Sequence, residues 1–200
     1  DLGRGDLTTE ATVPDSVQGA ATFTAREPLV FSGLALIVEV YRQVDPSLVI
    51  SAARADGDRL VKGEHACRVS GSAASILRGE RVALNFAQRM SGVATLSRRY
   101  VDALPSGSRT RIADTRKTTP GLRALERYAV RCGGAHNHRE DLSSAVLIKD
   151  NHVAAAGGVA AAIERARAYA PHTSRIECEV DTLAQLEVAL AAGADIIMLD

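Results

Sequence analysis

An excess of either charge is missing: 24 Lys and Arg stand against 24 Asp and Glu, a formal net charge of zero. That excludes bulk attraction to nucleic acid or to an anionic membrane and leaves electrostatic specificity to a local cluster. Cysteine is scarce. Cys67, Cys132 and Cys178 are odd in number, widely spaced and form no C-x-x-C, so a disulfide framework or a cysteine zinc site has no support and all three read as reduced thiols. No run reaches the ~18 uninterrupted apolar residues of a membrane span. The opening DLGRGDLTTE has neither the basic start nor the apolar stretch of a signal peptide, so the expected location is cytoplasmic. G-x-G-x-x-G, G-x-x-x-x-G-K-S/T and G-x-S-x-G are absent, which removes the signatures of dinucleotide, P-loop and serine-hydrolase sites.

What is present is an ordinary globular composition, 46% hydrophobic and 24% charged. A chain of this length buries about 70% of its unfolded surface, enough for one large domain or a domain with a smaller companion. Strand-like alternation runs over Ala20 to Thr24, Leu48 to Ala53 and Ala66 to Ser70. Gly33 opens the helical run LALIVEVYRQV, which Pro46 closes, and residues 73–99 have helical periodicity with a break expected at Gly79. From about residue 108 the rhythm becomes βα. RIADT, VLIKD, RIECEVD and DIIMLD are the strand candidates, and TLAQLEVALAAG is a helix stopped by Gly193.

Strands alternating with helices imply a parallel sheet, open or closed into a barrel, with its ligand site at the C-terminal strand ends. Asp114, Lys149, Glu179 and Asp200 fall there. Three or four strands do not close a barrel of about eight, so any barrel is expected to be incomplete in these 200 residues.

The neutral total hides a basic concentration. Residues 111–149 hold eight Lys or Arg against four Asp or Glu. Arg116 and Lys117 follow a strand end, His138 and Arg139 lie in a turn after GGAHN, and Lys149 is near another strand end. Together these five suit a ligand with several acidic groups, Arg offering a planar fork and Lys a point charge. Arg123, Arg127 and Arg131, in GLRALERYAVR, read instead as a solvated helix face with ion pairs. Glu179 and Asp200 are 21 residues apart, one βα repeat. Such a pair suits holding sugar hydroxyls or a Mg²⁺ carried by a diphosphate, or stabilising positive charge at a sugar carbon; either residue alone also suits capping the next helix. His136 and His138 form an H-x-H pair that suits a metal on a strand or, in a loop, donation to an anion. His65, His152 and His172 gain no role from their spacing.

The segments ERVALN (80–85), QRMSGVAT (88–95), DTRKTTPGLR (114–123), YAVRCGGAHNHR (128–139) and LIKDNH (147–152) closely resemble the quinolinate phosphoribosyltransferase family. The opening DLGRGDLTT and the closing IECEVDTLAQLEVALAAGADIIMLD extend the resemblance over nearly the whole chain. It implies an α/β fold, with an N-terminal α/β sandwich domain over 1–88 followed by an α/β barrel domain over 89–200, the barrel truncated in this chain. The implied activity is that of a pentosyltransferase: Mg²⁺-dependent transfer of phosphoribose from phosphoribosyl pyrophosphate to quinolinate, with decarboxylation, in NAD biosynthesis. By the same resemblance Arg116, His138, Arg139 and Lys149 grip the pyridine dicarboxylate. Lys117 lies near the phosphoribosyl pyrophosphate, and Glu179 and Asp200 flank the ribose and its substrate-borne Mg²⁺, with no direct protein metal site. Lys117, Glu179 and Asp200 are the implied catalytic residues. Arg81 is implied to reach a neighbouring subunit's site in a homodimer or larger ring, with no nucleic-acid or membrane partner.

Overall fold

Positions 18–24 alternate between more and less exposed side chains, the period of a strand with one covered face, and form β1 (Gln18–Thr24). It follows a short helix α1 (Leu7–Thr12), whose N-cap Asp6 accepts from the Thr9 amide at 3.1 Å. The computed structural model describes residues 1–200 and separates into two compact units, Asp1–His138 and Arg139–Asp200.

In the first unit, β1 pairs antiparallel with β5 (His65–Ser72), and β5 pairs on its other side with β3 (Val49–Ala52), giving the order β1-β5-β3. A two-stranded ladder joins β2 (Leu29–Val30) to β4 (Arg59–Leu60). Two helices cover this framework: α2 (Leu34–Val44), with the bounds its periodicity predicts, and α3 (Ala73–Asp102). The start of α2 is capped from a distance, because Asp56 Oδ1 accepts from the amides of both Gly33 and Leu34 at 3.0 Å. Ile37 and Tyr41 of α2 are fully buried against Phe23, Leu60 and Val69, and burying each side chain of this size contributes ~1.5–3 kcal/mol.

The break expected at Gly79 does not occur: α3 runs unbroken through it and also through residue 88. The reason is packing. A Cβ at Gly79 would lie 2.6 Å from the Tyr41 ring, so the glycine lets α2 and α3 approach closely. A further helix, α4 (Arg123–Cys132), packs on α3, and Tyr128 on it donates to Asp56 Oδ2 at 2.8 Å.

RIADT is not a strand either. Only an isolated parallel bridge, Ala113 to His136, forms there, with His136 N donating to Ile112 O at 2.8 Å and Asp114 N to His136 O at 3.0 Å. The ladder stops because the Asp114 carboxylate takes the next donors, a local competition that strand periodicity does not reveal.

The second unit is a βα succession: β6 (Val146–Ile148), α5 (Asp150–Ala156), α6 (Val159–Tyr169), β7 (Ile176–Val180), α7 (Leu183–Ala191) and β8 (Ile196–Leu199). Its strands are all parallel in the order β6-β7-β8. β7 is central and reads as a nearly continuous buried run, as a strand covered on both faces should. Thr182 Oγ1 caps α7 by accepting from Gln185 N at 3.2 Å, and Gly193, at φ +77°, ends it in the left-handed conformation. Three parallel strands do not make a closed barrel, so the architecture seen is an open α/β sheet.

Candidate active site

In the first unit the site is built around a buried carboxylate. The Asp114 side chain is 7% exposed. Its Oδ1 accepts from the His138 amide at 2.6 Å and from Arg127 Nη1 at 3.3 Å, and its Oδ2 accepts from Asn137 Nδ2 at 2.6 Å. Arg127 also donates to His138 O at 2.9 Å, and Asn137 Nδ2 to Arg127 O at 2.9 Å. Residues 114 and 136–138 are thereby locked side by side, with the backbone of the expected ligand donor His138 fixed at both its N–H and its C=O.

This corrects the view of α4 as a solvated charged face. Arg127 is 8% exposed and Glu126 7%, and both point inward. Arg123 is half-buried and reaches Arg116 O at 3.4 Å and Thr118 Oγ1 at 3.2 Å. Arg131 is exposed, yet it lies over the Tyr128 ring at 5.7 Å and donates to Asn137 Oδ1 at 2.6 Å. Helical periodicity marks which residues share a face, but only the docking of the 114–119 loop on that face shows that it is covered.

The loop carries the two expected ligands. Lys117 is exposed, its amide tied to Thr115 Oγ1 at 3.1 Å. Arg116 is half-buried, and its Nε is buried with no hydrogen-bond partner. Ser32 Oγ and Tyr41 OH are likewise buried without a partner, but of the three only Arg116 Nε belongs to a cation, and a buried guanidinium N–H without an acceptor is costly. Sequence patterning missed Arg89, on α3, and Glu126. Arg89 Nε donates to Glu126 Oε1 at 3.0 Å, its Nη2 makes a further short contact to the same oxygen, and Nη2 donates to Thr119 Oγ1 at 2.6 Å. Thr119 N in turn donates to Glu126 Oε2 at 3.1 Å. Burial raises the Glu126 pKa, but the hydrogen bonds from Arg89 and Thr119 outweigh it and hold the carboxyl below its usual range. The one hint in the sequence was that Arg89 lies inside QRMSGVAT, a segment the family resemblance singled out. Arg81 is exposed on α3.

In the second unit, Lys149 and Glu179 meet. They stand at the ends of neighbouring strands β6 and β7, and Lys149 Nζ donates to Glu179 Oε2 at 2.5 Å, with side-chain exposures of 43% and 11%. The Lys149 amide donates to His152 Nδ1 at 2.9 Å, so His152, without a role by spacing, helps hold the start of α5. Asp200 follows β8, the other neighbour of β7, and is exposed. Arg139 donates to Ala145 O at 3.1 Å across the loop before β6. Within that loop, hydrogen bonds from Ser143 and then Ser144 hold the Asp141 carboxyl down to about 2. Lys149, Glu179 and Asp200 thus lie at the C-terminal ends of parallel strands, where the strand-end rule puts them, whereas Asp114, which the same rule named, follows only an isolated bridge.

Asp114, His138, Lys149 and Glu179 all fall within one of two family domains that match the chain. The quinolinate phosphoribosyl transferase N-terminal domain matches residues 6–91, and the C-terminal domain of the same family matches residues 93–200. The chain belongs to the quinolinate phosphoribosyl transferase family. A relative in Bacillus subtilis, described as a probable nicotinate-nucleotide pyrophosphorylase (carboxylating), is 46% identical over all 200 residues, which span 68% of its length. The enzyme of that name from Mycobacterium leprae is 44% identical over 198 residues, covering 98% of this chain and 69% of the relative. The fold is shared as well. NadC from Streptococcus pyogenes superimposes with a TM-score of 0.94 at 46% identity, covering this whole chain and 70% of that one. The nicotinate-nucleotide pyrophosphorylase from Francisella tularensis gives 0.94 at 38% identity, again over the whole chain and 70% of its own.

Proposed function

We propose that this chain carries the substrate-binding and ribose-handling residues of a quinolinate phosphoribosyltransferase (decarboxylating), a pentosyltransferase of NAD biosynthesis. The observation that carries this reading is the buried, unpartnered Nε of Arg116 on a loop held by the Asp114 hub, within the segment DTRKTTPGLR and in a chain matched end to end by the family. A rigid fork awaiting an anion is what recognition of a pyridine dicarboxylate needs.

Arg116, His138, Arg139 and Lys149 hold the quinolinate carboxylates, and Lys117 meets the phosphoribosyl pyrophosphate. The ring nitrogen attacks C1 of the ribose. The C1–O bond to pyrophosphate breaks with its electron pair going to the leaving group, and an N-glycosidic bond forms. Glu179 and Asp200 stabilise the positive charge that C1 gains between the two events, and the contact from the Lys149 ammonium orients the Glu179 carboxylate. The pyridinium nitrogen then accepts electron density as the 2-carboxylate leaves as CO₂, and C2 takes up a proton from solvent. The products are nicotinate mononucleotide, CO₂ and pyrophosphate.

Two carboxylates, one already paired with a lysine, and no cluster of three His, Cys, Asp or Glu able to hold a metal, form a donor set that fits an ion held chiefly by substrate phosphates. Glu179 and Asp200 are the residues that would meet it. Mg²⁺ bound in this way would offset the charge of the departing pyrophosphate.

Finer parts of the proposal concern organisation. The functional division is residues 1–88 as an N-terminal sandwich and 89–200 as part of a barrel, a reading supported by family matches that meet near residue 92. Arg81 serves the site of a second copy in a homodimer or larger ring, consistent with its exposure on α3. The enzyme works in the cytoplasm; no helix is long and apolar enough to cross a membrane.

The test is CO₂ release by the protein as its host makes it, given quinolinate, phosphoribosyl pyrophosphate and Mg²⁺, with nicotinate as control. Stoichiometric CO₂ and nicotinate mononucleotide, with no product from nicotinate, are expected. A folded protein that turns over neither substrate would overturn the assignment.

A further inference from the structure

The segment bearing Arg116 and Lys117 is suspended between two buried carboxylates. At one end is Asp114, held by His138, Asn137 and Arg127. At the other, Thr119 is caught by Glu126, which accepts its amide, and by Arg89, which donates to its hydroxyl while also binding Glu126. Three groups thus close a ring: Arg89 to Glu126, Arg89 to Thr119, and Thr119 to Glu126. Arg123, one turn before Arg127 on α4, adds contacts to Arg116 O and Thr118 Oγ1.

A surface loop has no intrinsic preference for one conformation, and ordering each residue costs ~1–2 kcal/mol of backbone entropy. Arg116 and Lys117 can present a fixed pair of cations only if something else holds their backbone. Lysine would not replace Arg89, because a single ammonium lacks the planar spread of donors that here bridges a carboxylate and a hydroxyl at once. Glu126 is 7% exposed, so its charge is kept in the interior by these donors. Neither residue is part of the expected ligand set.

We propose that Arg89 and Glu126 are positioning residues that set the Arg116–Lys117 loop for quinolinate through Thr119. The inference rests on the proposed function only in naming quinolinate as the ligand; the clamp itself is testable without substrate. Two measurements separate the parts. In the first, hydrogen exchange is followed by NMR at the Thr119 amide without substrate. E126Q keeps the side-chain shape but weakens both contacts, and faster exchange at Thr119 with unchanged exchange in β5 is expected; an unchanged Thr119 amide would overturn the clamp.

In the second, steady-state kinetics with quinolinate and phosphoribosyl pyrophosphate are compared for the wild type, R89K and T119V. T119V removes the hydroxyl that Arg89 binds while keeping the amide bond to Glu126, so it remains informative if E126Q does not fold. The quinolinate KM is expected to rise about ten-fold, equivalent to about 1.4 kcal/mol, the scale of a hydrogen bond to a charged group. The KM for phosphoribosyl pyrophosphate should change less. The double variant should be little worse than R89K alone, since both changes break the same contact. A lower Tm with unchanged quinolinate KM would reduce the pair to a structural role and overturn the proposal. A wild type with no turnover would overturn the quinolinate assignment, and the exchange result would then stand or fall separately.

Discussion

Replacing Asp114 by Asn keeps the shape of the hub and removes one acceptor and the charge. Both carboxylate oxygens face donors: the His138 amide and Arg127 on one side, Asn137 Nδ2 on the other. The new amide must therefore aim its NH₂ at another donor. Turning it toward Asn137 is not rescued by flipping Asn137, because that residue's Oδ1 already accepts from Arg131 and its Nδ2 donates to Arg127 O. Turning it the other way opposes the His138 amide. In either orientation the Arg127 guanidinium, 10% exposed, loses the Asp114 charge. An unsatisfied buried donor costs ~1–3 kcal/mol, and breaking a buried ion pair on one side ~3–5 kcal/mol. With the long 3.3 Å contact favouring the lower end, D114N should cost about 3 kcal/mol. At ~2–4 °C per kcal/mol that is a fall in Tm of about 6–12 °C. Scanning calorimetry of the full protein, with quinolinate affinity measured on the folded fraction, checks it. A Tm within about 2 °C of wild type would refute the hub, since that is the yield of less than one ordinary hydrogen bond.

Three further outcomes are expected. Arg139→Lys keeps the charge but loses the planar fork, and should weaken quinolinate binding about ten-fold or more by calorimetry, against little change for Lys at exposed Arg99. Gly79→Ala sets a methyl 2.6 Å from the fully buried Tyr41 ring; overpacking of ~1–3 kcal/mol should exceed the ~0.5–1 kcal/mol helix gain, so urea denaturation should show net destabilisation rather than the usual stabilisation. The Asp141 carboxyl, lowered from 3.8 to about 2, supports its loop fully above the unfolded value and loses that support as pH falls through about 2. Ser143 and Ser144 amide protection should therefore persist at pH 4 and fade only on acidification toward 2; loss already at pH 4 would contradict the hydrogen-bonded turn.

Much of the fold was legible because its signals are local. The apolar spacing of 34–44 marks α2 to the residue, and Thr182 with Gly193 brackets α7. Parallel-sheet logic then put Lys149, Glu179 and Asp200 at strand ends, and the first two do form an ion pair. The misreadings share a cause. Gly79 reads as a helix break unless the Tyr41 ring opposite is known, and RIADT reads as a strand unless Asp114 is seen to divert the next donors to its side chain. Arg123, Arg127 and Arg131 read as a solvated face because helical charge spacing is the same whether water or another loop covers it, and of the three only Arg131 is exposed.

By itself, the sequence determined the α/β class, the βα succession after residue 145, the basic concentration at 111–149 and, through its motifs, the family and the residues expected to meet substrate. Those depend on periodicity, composition and short contiguous patterns. Tertiary structure alone decided that Asp114 is a hub, that Asp56 caps a helix more than 20 residues away, and that Arg89 reaches Glu126 and Thr119. A hydrogen bond between side chains 30 or 37 positions apart leaves no periodic trace, because its geometry comes from how helices and loops dock and not from the spacing of the residues along the chain.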